Sequence, residues 1–450
     1  MSHGSTHLTE ALRGSAVRLP AAVGLAAVGS AIAATMLLAS TAAAAAPAPA
    51  VATPIATPIA TPISTAGNVG LFGAQDPTYD GVYRQSLAIL GLTATGHTPN
   101  APAVSWLLAQ QCSDGAFPAY RADTSVACTP SSEDENATAA AIQALIAVGR
   151  PTTTAVAALR RFQLPDGGFY DNTAFGAPAS DANSTGLALS SLVAAGVDPA
   201  TVTSSTGKTG DDYLRSVQIA CTATAGAGAY DFQSEATLHA NDYATVQGLL
   251  GELGKAFPVT PAVAAGSTAT CPASVVDAPS SAAAAASYLA ARLAATKGVI
   301  PSAFGSGTDW TTTANAVLDL EAAGAGTAAV APTLTALEAG ATTYVRTAGA
   351  YAPGPLATLL LVAHASGLDP GAFGGVDLTT ALASTERVAA AAPPSTAPAP
   401  ARSPVATPVA TLPATGSSDT AALGFVGTLL VGCGVFALLV SRRRAGKYEC

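Results

Sequence analysis

The stretch Gln163-Leu-Pro-Asp-Gly-Gly-Phe169 decides the fold, because it joins two kinds of helix in a pattern that recurs along the chain. Gln111-Cys-Ser-Asp-Gly-Ala-Phe117 repeats it, and shorter forms occur at Gly226-Ala-Gly-Ala-Tyr230 and Gly349-Ala-Tyr351. In the two full copies the Asp-Gly pair favours a tight turn with a positive φ at glycine. The aromatic residue that follows is expected to pack back on the helices.

A second repeated element follows these joints and predicts a buried helix. It begins with Asp and ends with Gly, in clear copies at 134–149, 181–196 and 309–324. Looser copies start at Asp80 and Asp242, and a last one ends at Gly367. Asp caps the first turn, Gly ends the helix, and the apolar interior predicts burial on most sides. The segments between copies are more amphipathic, which predicts outer helices at 104–111, 154–163 and 211–219.

Gln-x-x-Asp-Gly-Gly-Phe before an Asp- and Thr-capped apolar helix resembles the prenyltransferase/squalene-cyclase repeat. The resemblance covers about 70–386 in six helix pairs. It implies an all-α fold, the α6/α6 toroid, in which inner helices form a barrel and outer helices surround it. That family includes cyclases, zinc protein prenyltransferases, thioester domains and the barrel of cobalamin carriers, so the resemblance implies the fold more strongly than any one activity.

The catalytic motifs of that family are missing from the sequence. No Asp-x-Asp-Asp acid occurs, and the acidic run 133–135 better fits a helix N-terminus, where anions are favoured. No Gly-Cys-Gly-Glu-Gln thioester motif occurs, and His97, His239 and His364 lie far in sequence from the cysteines. We therefore expect no catalytic residues, no metal and no cofactor.

The capped ends of the inner helices are expected to meet at one mouth of the barrel. The candidate ligand-binding residues there are Asp134, Asn136, Asp181, Asn183, Asp242, Tyr243, Asp309, Trp310 and Thr312. Aromatic and hydrogen-bonding groups around a cavity suit a polar ligand with apolar faces. The favoured hypothesis is a non-catalytic toroid that binds a small molecule or glycan. An extracellular hydrolase or lyase using the rim carboxylates, and a structural or adhesive protein in which these residues only cap helices, stay open.

The C-terminal residues 412–450 carry a three-part pattern. Leu412, Pro413, Ala414, Thr415 and Gly416 spell LPxTG. The uncharged apolar run 421–440 is long enough for a transmembrane helix, and the basic tail 442–444 favours a cytoplasmic end. The ordered pattern resembles the sorting signal of sortase substrates, which implies cleavage after Thr415 and a covalent bond to peptidoglycan. An ordinary single-pass anchor is the alternative.

The N-terminal residues 1–46 have the basic, apolar and alanine-rich parts of a secretory signal peptide. An uncleaved membrane helix is the alternative. Residues 47–66 and 391–411 are rich in Ala, Thr and Pro, which predicts disordered, extended segments, the second serving as a wall spacer. The folded domain is therefore expected at 67–390. The sequence predicts a secreted protein attached to a Gram-positive cell wall, with a precursor transiently anchored in the membrane.

Cysteines and charge agree with an extracellular domain. Outside the sorting signal the chain keeps Cys112, Cys128, Cys221 and Cys271, an even number that predicts two disulfides in an oxidising compartment. Of the three pairings, the simplest joins neighbours, Cys112 to Cys128 and Cys221 to Cys271. The net charge of −9 argues against a nucleic-acid partner.

Overall fold

Helices dominate the part of the chain that the structure describes. The computed structural model describes residues 68–174, 176–260 and 268–389. The predicted signal peptide, both Pro-rich segments and the sorting signal lie outside these residues, as does the predicted membrane span at 421–440. Among the described helices, none combines the length and the apolar character needed to cross a bilayer. The prediction of a helix-rich domain is confirmed.

Two sets of helices alternate along the chain. The first set comprises α1 (Gly81–Ala94), α3 (Glu135–Ala147), α5 (Ala182–Ala194), α7 (Asp242–Glu252), α9 (Trp310–Ala323) and α11 (Pro353–Ala365). The second set comprises α2 (Ala101–Gln110), α4 (Thr153–Leu159), α6 (Gly210–Ser216), α8 (Ala278–Ala295), α10 (Val330–Tyr344) and α12 (Leu378–Ala383). A short antiparallel hairpin of β1 (Arg346–Thr347) and β2 (Ala350–Tyr351) precedes α11.

The odd-numbered helices, called the inner helices below, contact one another in a closed series. Each packs on the next, from α1 through α3, α5, α7 and α9 to α11, and α11 returns to α1. Each even-numbered outer helix packs on the inner helix that precedes it. Inner helices such as α3 and α5 are buried over most of their residues, whereas α10 buries about one face. This difference agrees with the apolar and amphipathic patterns in the sequence.

A threonine hydroxyl fastens each of four joints to the inner helix that follows it. Phe169 N–H donates to Thr185 Oγ1 at 2.9 Å, and Asp181 N–H donates to the Phe169 carbonyl at 3.0 Å. Thr185 Oγ1 in turn donates to the Asp181 carbonyl at 2.7 Å. The same hydroxyl contact recurs at the predicted joints between Phe117 and Thr138 and between Tyr230 and Thr245, and at a joint that the sequence motif did not predict, between Ile300 and Thr313. Both backbone polar groups of buried Phe169, its N–H and its carbonyl, thereby have hydrogen-bond partners.

The glycine of the joint allows the next outer helix to come close. Gly167 has φ +94°, and a Cβ there would lie 2.2 Å from the carbonyl oxygen of Thr209, the N-cap of α6. Gln163 Nε2 donates to the Gly167 carbonyl at 3.0 Å, and Asp166 Oδ1 accepts from Gly168 N–H at 3.1 Å. The Gln and Asp of the motif therefore hold a turn that only glycine can make without strain.

Glycine also sets the spacing between α5 and α7. A Cβ at Gly186 would lie 2.1 Å from the Gln247 carbonyl oxygen, and one at Gly251 would lie 2.4 Å from the Gly186 carbonyl oxygen. Both obstacles are backbone atoms, so neither helix can give way by a rotamer change.

The two ends of the described chain pair with each other and close the series. Gly70 N–H donates to the Arg387 carbonyl at 2.8 Å, and Arg387 N–H donates to the Leu71 carbonyl at 2.9 Å. The Arg387 side chain adds a bond from Nε to the Gly73 carbonyl at 2.7 Å. We call this contact between 70–73 and 385–387 the clasp.

The predicted disulfide pairing is confirmed. Cys112 bonds to Cys128 and Cys221 bonds to Cys271, with Cα atoms 5.7 and 5.5 Å apart.

The register of two helix starts differs from the prediction. Asn241 rather than Asp242 caps α7, because its short side chain accepts the Ala244 N–H at 3.0 Å just as an Asp would. Asp80 precedes α1 but makes no side-chain cap bond and pairs with Arg84 at 3.2 Å.

Replacing Gly186 with alanine should destabilise the domain by about 2–3 kcal/mol, because the added Cβ meets backbone of α7. The control is Gly354→Ala, also in a helix, where a Cβ meets nothing within 4 Å. That change should be neutral or stabilising by up to about 1 kcal/mol. Urea unfolding measures both, and equal stabilities of the two variants would contradict the close approach.

The change Thr185→Val should cost about 1–3 kcal/mol, because it keeps the shape but leaves the buried Phe169 N–H without an acceptor. Thr335→Val is the matched control, since exposed Thr335 bonds only to the Ala331 carbonyl of its own helix. Thermal unfolding should separate the two variants by several degrees.

Candidate functional site

A cavity of about 200 Å³ opens at the N-terminal ends of α1 and α3. We call it the mouth pocket. Its lining combines carboxyl, amide and aromatic side chains, among them Asp80, Tyr83, Tyr120, Asp134, Asn136, Asp171 and Asn172. Asp134 lies there because it caps α3, its Oδ1 accepting the Ala137 N–H at 2.7 Å.

A row of side-chain amides connects α5 to the carboxyl groups of the mouth pocket. Asn183 Nδ2 donates to Asn136 Oδ1 at 3.3 Å, and Asn136 Nδ2 donates to Asp171 Oδ1 at 2.9 Å. Asn172 Nδ2 then bridges two carboxyl groups, donating to Asp171 Oδ2 at 2.8 Å and Asp134 Oδ2 at 3.2 Å. The row fixes the orientation of both carboxyl groups towards the pocket they line.

Burial makes these carboxyl groups hold protons more tightly than usual. Burial, and next the charge of Asp171, raise the pKa of Asp134 well above its ordinary value. Burial likewise raises the pKa of Asp171 to about 6. Two neighbouring carboxyl groups in one buried site favour a state in which only one is ionised at neutral pH.

Two further acids stand behind the pocket. Burial raises the pKa of Asp181 to about 7, although its carboxyl group accepts the Ser184 N–H at 2.7 Å. Burial, and then the charges of Asp171, Asp181 and Asp134, raise the pKa of Glu135 well above its ordinary value. Neither Glu135 oxygen has a hydrogen-bond partner among the described residues. A neutral Glu135 is the form that this environment favours.

Aromatic side chains also line the pocket, and one of them, Tyr120, stacks on Trp106. The rings of Tyr120 and Trp106 stack, with centroids 6.3 Å apart and planes inclined by 12°. Trp106 Nε1 and the Tyr120 hydroxyl both donate to Asn68 Oδ1, at 3.2 and 3.3 Å. At the rim, the Tyr79 side chain lies 62% exposed.

The structure brings four of the nine predicted residues together. Asp134 and Asn136 line the mouth pocket, and Asp181 and Asn183 lie directly behind it. Asn136 and Asn183 follow the cap residues Asp134 and Asp181 in sequence, and both also belong to the row of side-chain amides.

The other five predicted residues lie elsewhere. Asp242 forms an ion pair with Arg292 of α8 at 3.0 Å and accepts from the Tyr288 hydroxyl. Asp309 and Thr312 bond to each other at the start of α9, as helix caps do.

The side chains of Trp310 and Tyr243 lie in two different surroundings, both outside the mouth pocket. The Trp310 ring packs against Gly340 of α10, so it faces an outer helix. Tyr243 lines a separate cavity among the inner helices.

Sequence reasoning missed Asp171, Asn172, Tyr83 and Tyr120. One signal was available, because Asp171 and Asn172 follow the aromatic residues 169–170 of the best-formed joint. Tyr120 likewise follows the aromatic residue of a joint, three positions after Phe117. Residues that directly follow a joint lie at the same end of the inner helices as the cap residues.

Within the ranges that the structure describes, no group of three or more His, Cys, Asp or Glu side chains has an arrangement that could hold a metal ion.

Comparison with known proteins identifies the C-terminal part of the chain. Residues 404–445 match the family model of the LPXTG cell wall anchor motif. The chain is a cell-wall-anchored surface protein. The matched range includes Leu412–Gly416; the match supports covalent attachment to a Gram-positive cell wall and is consistent with sortase processing.

For the helical domain the comparisons give less. No curated protein matches the chain in sequence. A crystal structure of a protein from Actinoplanes is similar over 66% of this chain and 92% of its own, with 14% sequence identity and a TM-score of 0.43. A similarity this low supports no conclusion about fold or function.

The raised pKa of Asp181 makes stability depend on pH. A carboxyl group that titrates near 4 when unfolded and near 7 when folded stabilises the fold at low pH, and this contribution is lost as pH rises towards 7. Asp181→Asn imitates the protonated form and still accepts the Ser184 N–H. We expect the variant to be more stable than wild type at pH 8 by on the order of 2 kcal/mol, and near wild type at pH 4.5.

Urea unfolding at both pH values measures this difference. Asp369→Asn removes a charge from an exposed loop Asp and controls for the change in net charge. A stability difference for Asp181→Asn that stays constant from pH 4.5 to 8 would show that the folded state does not hold this proton.

Proposed function

We propose that this wall-anchored protein displays an α6/α6 toroid of the prenyltransferase/squalene-cyclase type, whose mouth pocket binds one unit of a glycan without cleaving it. The closed series of inner-helix contacts and the outer helix packed on each support the toroid. The threonine-fastened joints, repeated four times, support the family resemblance. Before sortase acts, the apolar run 421–440 would hold the precursor in the membrane.

The observation that carries the binding proposal is the oriented pair Asp134 and Asp171 in one pocket with the aromatic side chains Tyr83 and Tyr120. A carboxylate has about four lone-pair positions. Asp171 uses one on each oxygen for Asn136 and Asn172 and a third for the side chain of Asp134, so about one position stays free for a ligand hydroxyl group. Sugars present hydroxyl groups at the ring edge and C–H groups on the ring faces. Tyr120 and Tyr83 offer apolar surface to those faces.

The size of the pocket limits the ligand. At about 200 Å³ it is smaller than the roughly 300–1,000 Å³ that drug-sized ligands occupy. It therefore suits a single sugar ring, with any further units of the glycan in solvent. Exposed Tyr79 at the rim is placed to contact such a neighbouring unit.

A glycan hydrolase is the second candidate, and the raised pKa values favour it specifically. Glycosidases need one protonated and one ionised carboxyl group beside the scissile bond. Asp134 and Asp171 meet the protonation requirement at neutral pH. Asn172 nevertheless donates to both carboxyl groups and so holds them side by side. This arrangement suits holding a ligand better than placing a scissile bond between the two carboxyl groups.

Binding is tested with mature protein released from cell walls by an endopeptidase, which leaves no wall glycan attached. Saturation-transfer NMR with N-acetylglucosamine, N-acetylmuramic acid, glucose and mannose should detect at least one ligand. Asp171→Asn should weaken its binding at least tenfold, because an amide nitrogen replaces one acceptor oxygen. Tyr79→Ala should weaken only oligosaccharides, since this exposed ring lies at the rim.

Asp369→Asn, with the same loss of charge on a distant loop, should bind as wild type does. Prolonged incubation with oligosaccharides should leave them intact. Cleavage products that are absent with Asp134→Asn would establish the hydrolase instead. No binding of any of the four sugars would favour a structural role.

A further inference from the structure

A second cavity of about 70 Å³ lies among the inner helices, bounded by side chains of α1, α5, α7, α9 and α11. We call it the central cavity. Tyr83 borders both it and the mouth pocket, but the other residues discussed below belong to it alone. Six aliphatic side chains line it, beside three aromatic and six polar ones; the aliphatic residues are Leu87, Leu187, Val246, Leu250, Leu318 and Leu361.

One buried acid faces this cavity. Asp319 of α9 lines the central cavity and is only 1% exposed. Its Oδ2 has no hydrogen-bond partner, and none of the ion pairs among the described residues includes it. Burial alone raises the pKa of Asp319 well above its ordinary value. This environment favours the neutral carboxylic acid, which has an O–H to donate.

Two amides accompany this acid. Asn315 precedes Asp319 by one helical turn, so both lie on the same face of α9, and Gln247 lies on α7, which packs on α9. In the described part of the chain, neither amide has a hydrogen-bond partner. Three uncharged donors on two neighbouring helices thus border one small cavity.

We infer that the central cavity binds a small uncharged carbonyl compound, whose oxygen accepts hydrogen bonds from Asp319 and from one of the two amides, Asn315 or Gln247. The hydrocarbon part of the ligand contacts the surrounding leucines. No Lys or Arg lines the cavity, so a buried anion would lack a counter-charge. The site uses different residues from the proposed glycan site and does not depend on it.

The volume of the central cavity sets the size of the ligand. A cavity of about 150 Å³ accommodates benzene, and roughly 10–15 Å³ accommodates one water molecule. A space of about 70 Å³ therefore admits roughly three or four non-hydrogen atoms. It is too small for an isoprenoid chain.

The test uses mature protein released from cell walls and acetone as the probe, titrated by saturation-transfer NMR. A ligand of this size should bind in the millimolar range. Asp319→Leu keeps a similar volume, removes a buried polar group and so is expected to fold, but it should weaken acetone binding at least tenfold. Asp319→Asn should retain binding, because its amide nitrogen still donates to the carbonyl oxygen.

Asp171→Asn, in the mouth pocket, should bind acetone as wild type does, which separates this site from the glycan site. Equal binding by wild type and Asp319→Leu would overturn the inference, because the acid would then not contact the ligand. Preference for acetate or tetramethylammonium over acetone would overturn it in favour of a charged ligand. Failure of wild type to bind acetone would overturn it directly.

Discussion

The hydrogen bond from a joint N–H to a threonine hydroxyl is the contact on which the rest of the domain depends. Thr185 Oγ1 accepts from Phe169 and donates to Asp181, so one hydroxyl holds the joint, the cap and the first helical turn together. The carbonyl of Phe169 completes the arrangement by accepting from Asp181. Because the arrangement recurs before α3, α5, α7 and α9, these four inner helices begin in the same way relative to the chain that precedes them, and the residues after the joints lie at the same end.

Small residues then determine what space the inner helices enclose. Gly186 and Gly251 bring α5 and α7 into backbone contact, which leaves no room between them for larger side chains. Among the inner helices the structure leaves a cavity of about 70 Å³. The larger pocket lies at the mouth, where the chain between joint and cap supplies Asp171 and Asn172. Among the described residues, Asp134, Asp171 and Asp319 form no ion pair with Lys or Arg, and burial raises the pKa of each.

The sequence predicts the helices well because joints and caps are local signals. Asp134, Asp181 and Asp309 all cap their helices as expected, and the neighbour pairing of cysteines holds. The site was predicted less completely, since a cap residue and a pocket residue have the same local pattern. Asp309 only caps, whereas Asn136 contacts a loop residue 35 positions away. Such long-range contacts, like that of Trp310 with Gly340, follow from helix rotation, which helical spacing alone does not specify.

The clasp between residues 70–73 and 385–387 has a mechanical consequence. A protein fixed to the wall on its C-terminal side receives any pulling force first at Arg387, one half of the clasp. Neither disulfide crosses that contact, since Cys112–Cys128 and Cys221–Cys271 both lie inside the series of helices. Force transmitted from that side would therefore act on the clasp and on α12 before it reaches either disulfide-bonded section. If the clasp opened, the sections 112–128 and 221–271 would keep their covalent crosslinks.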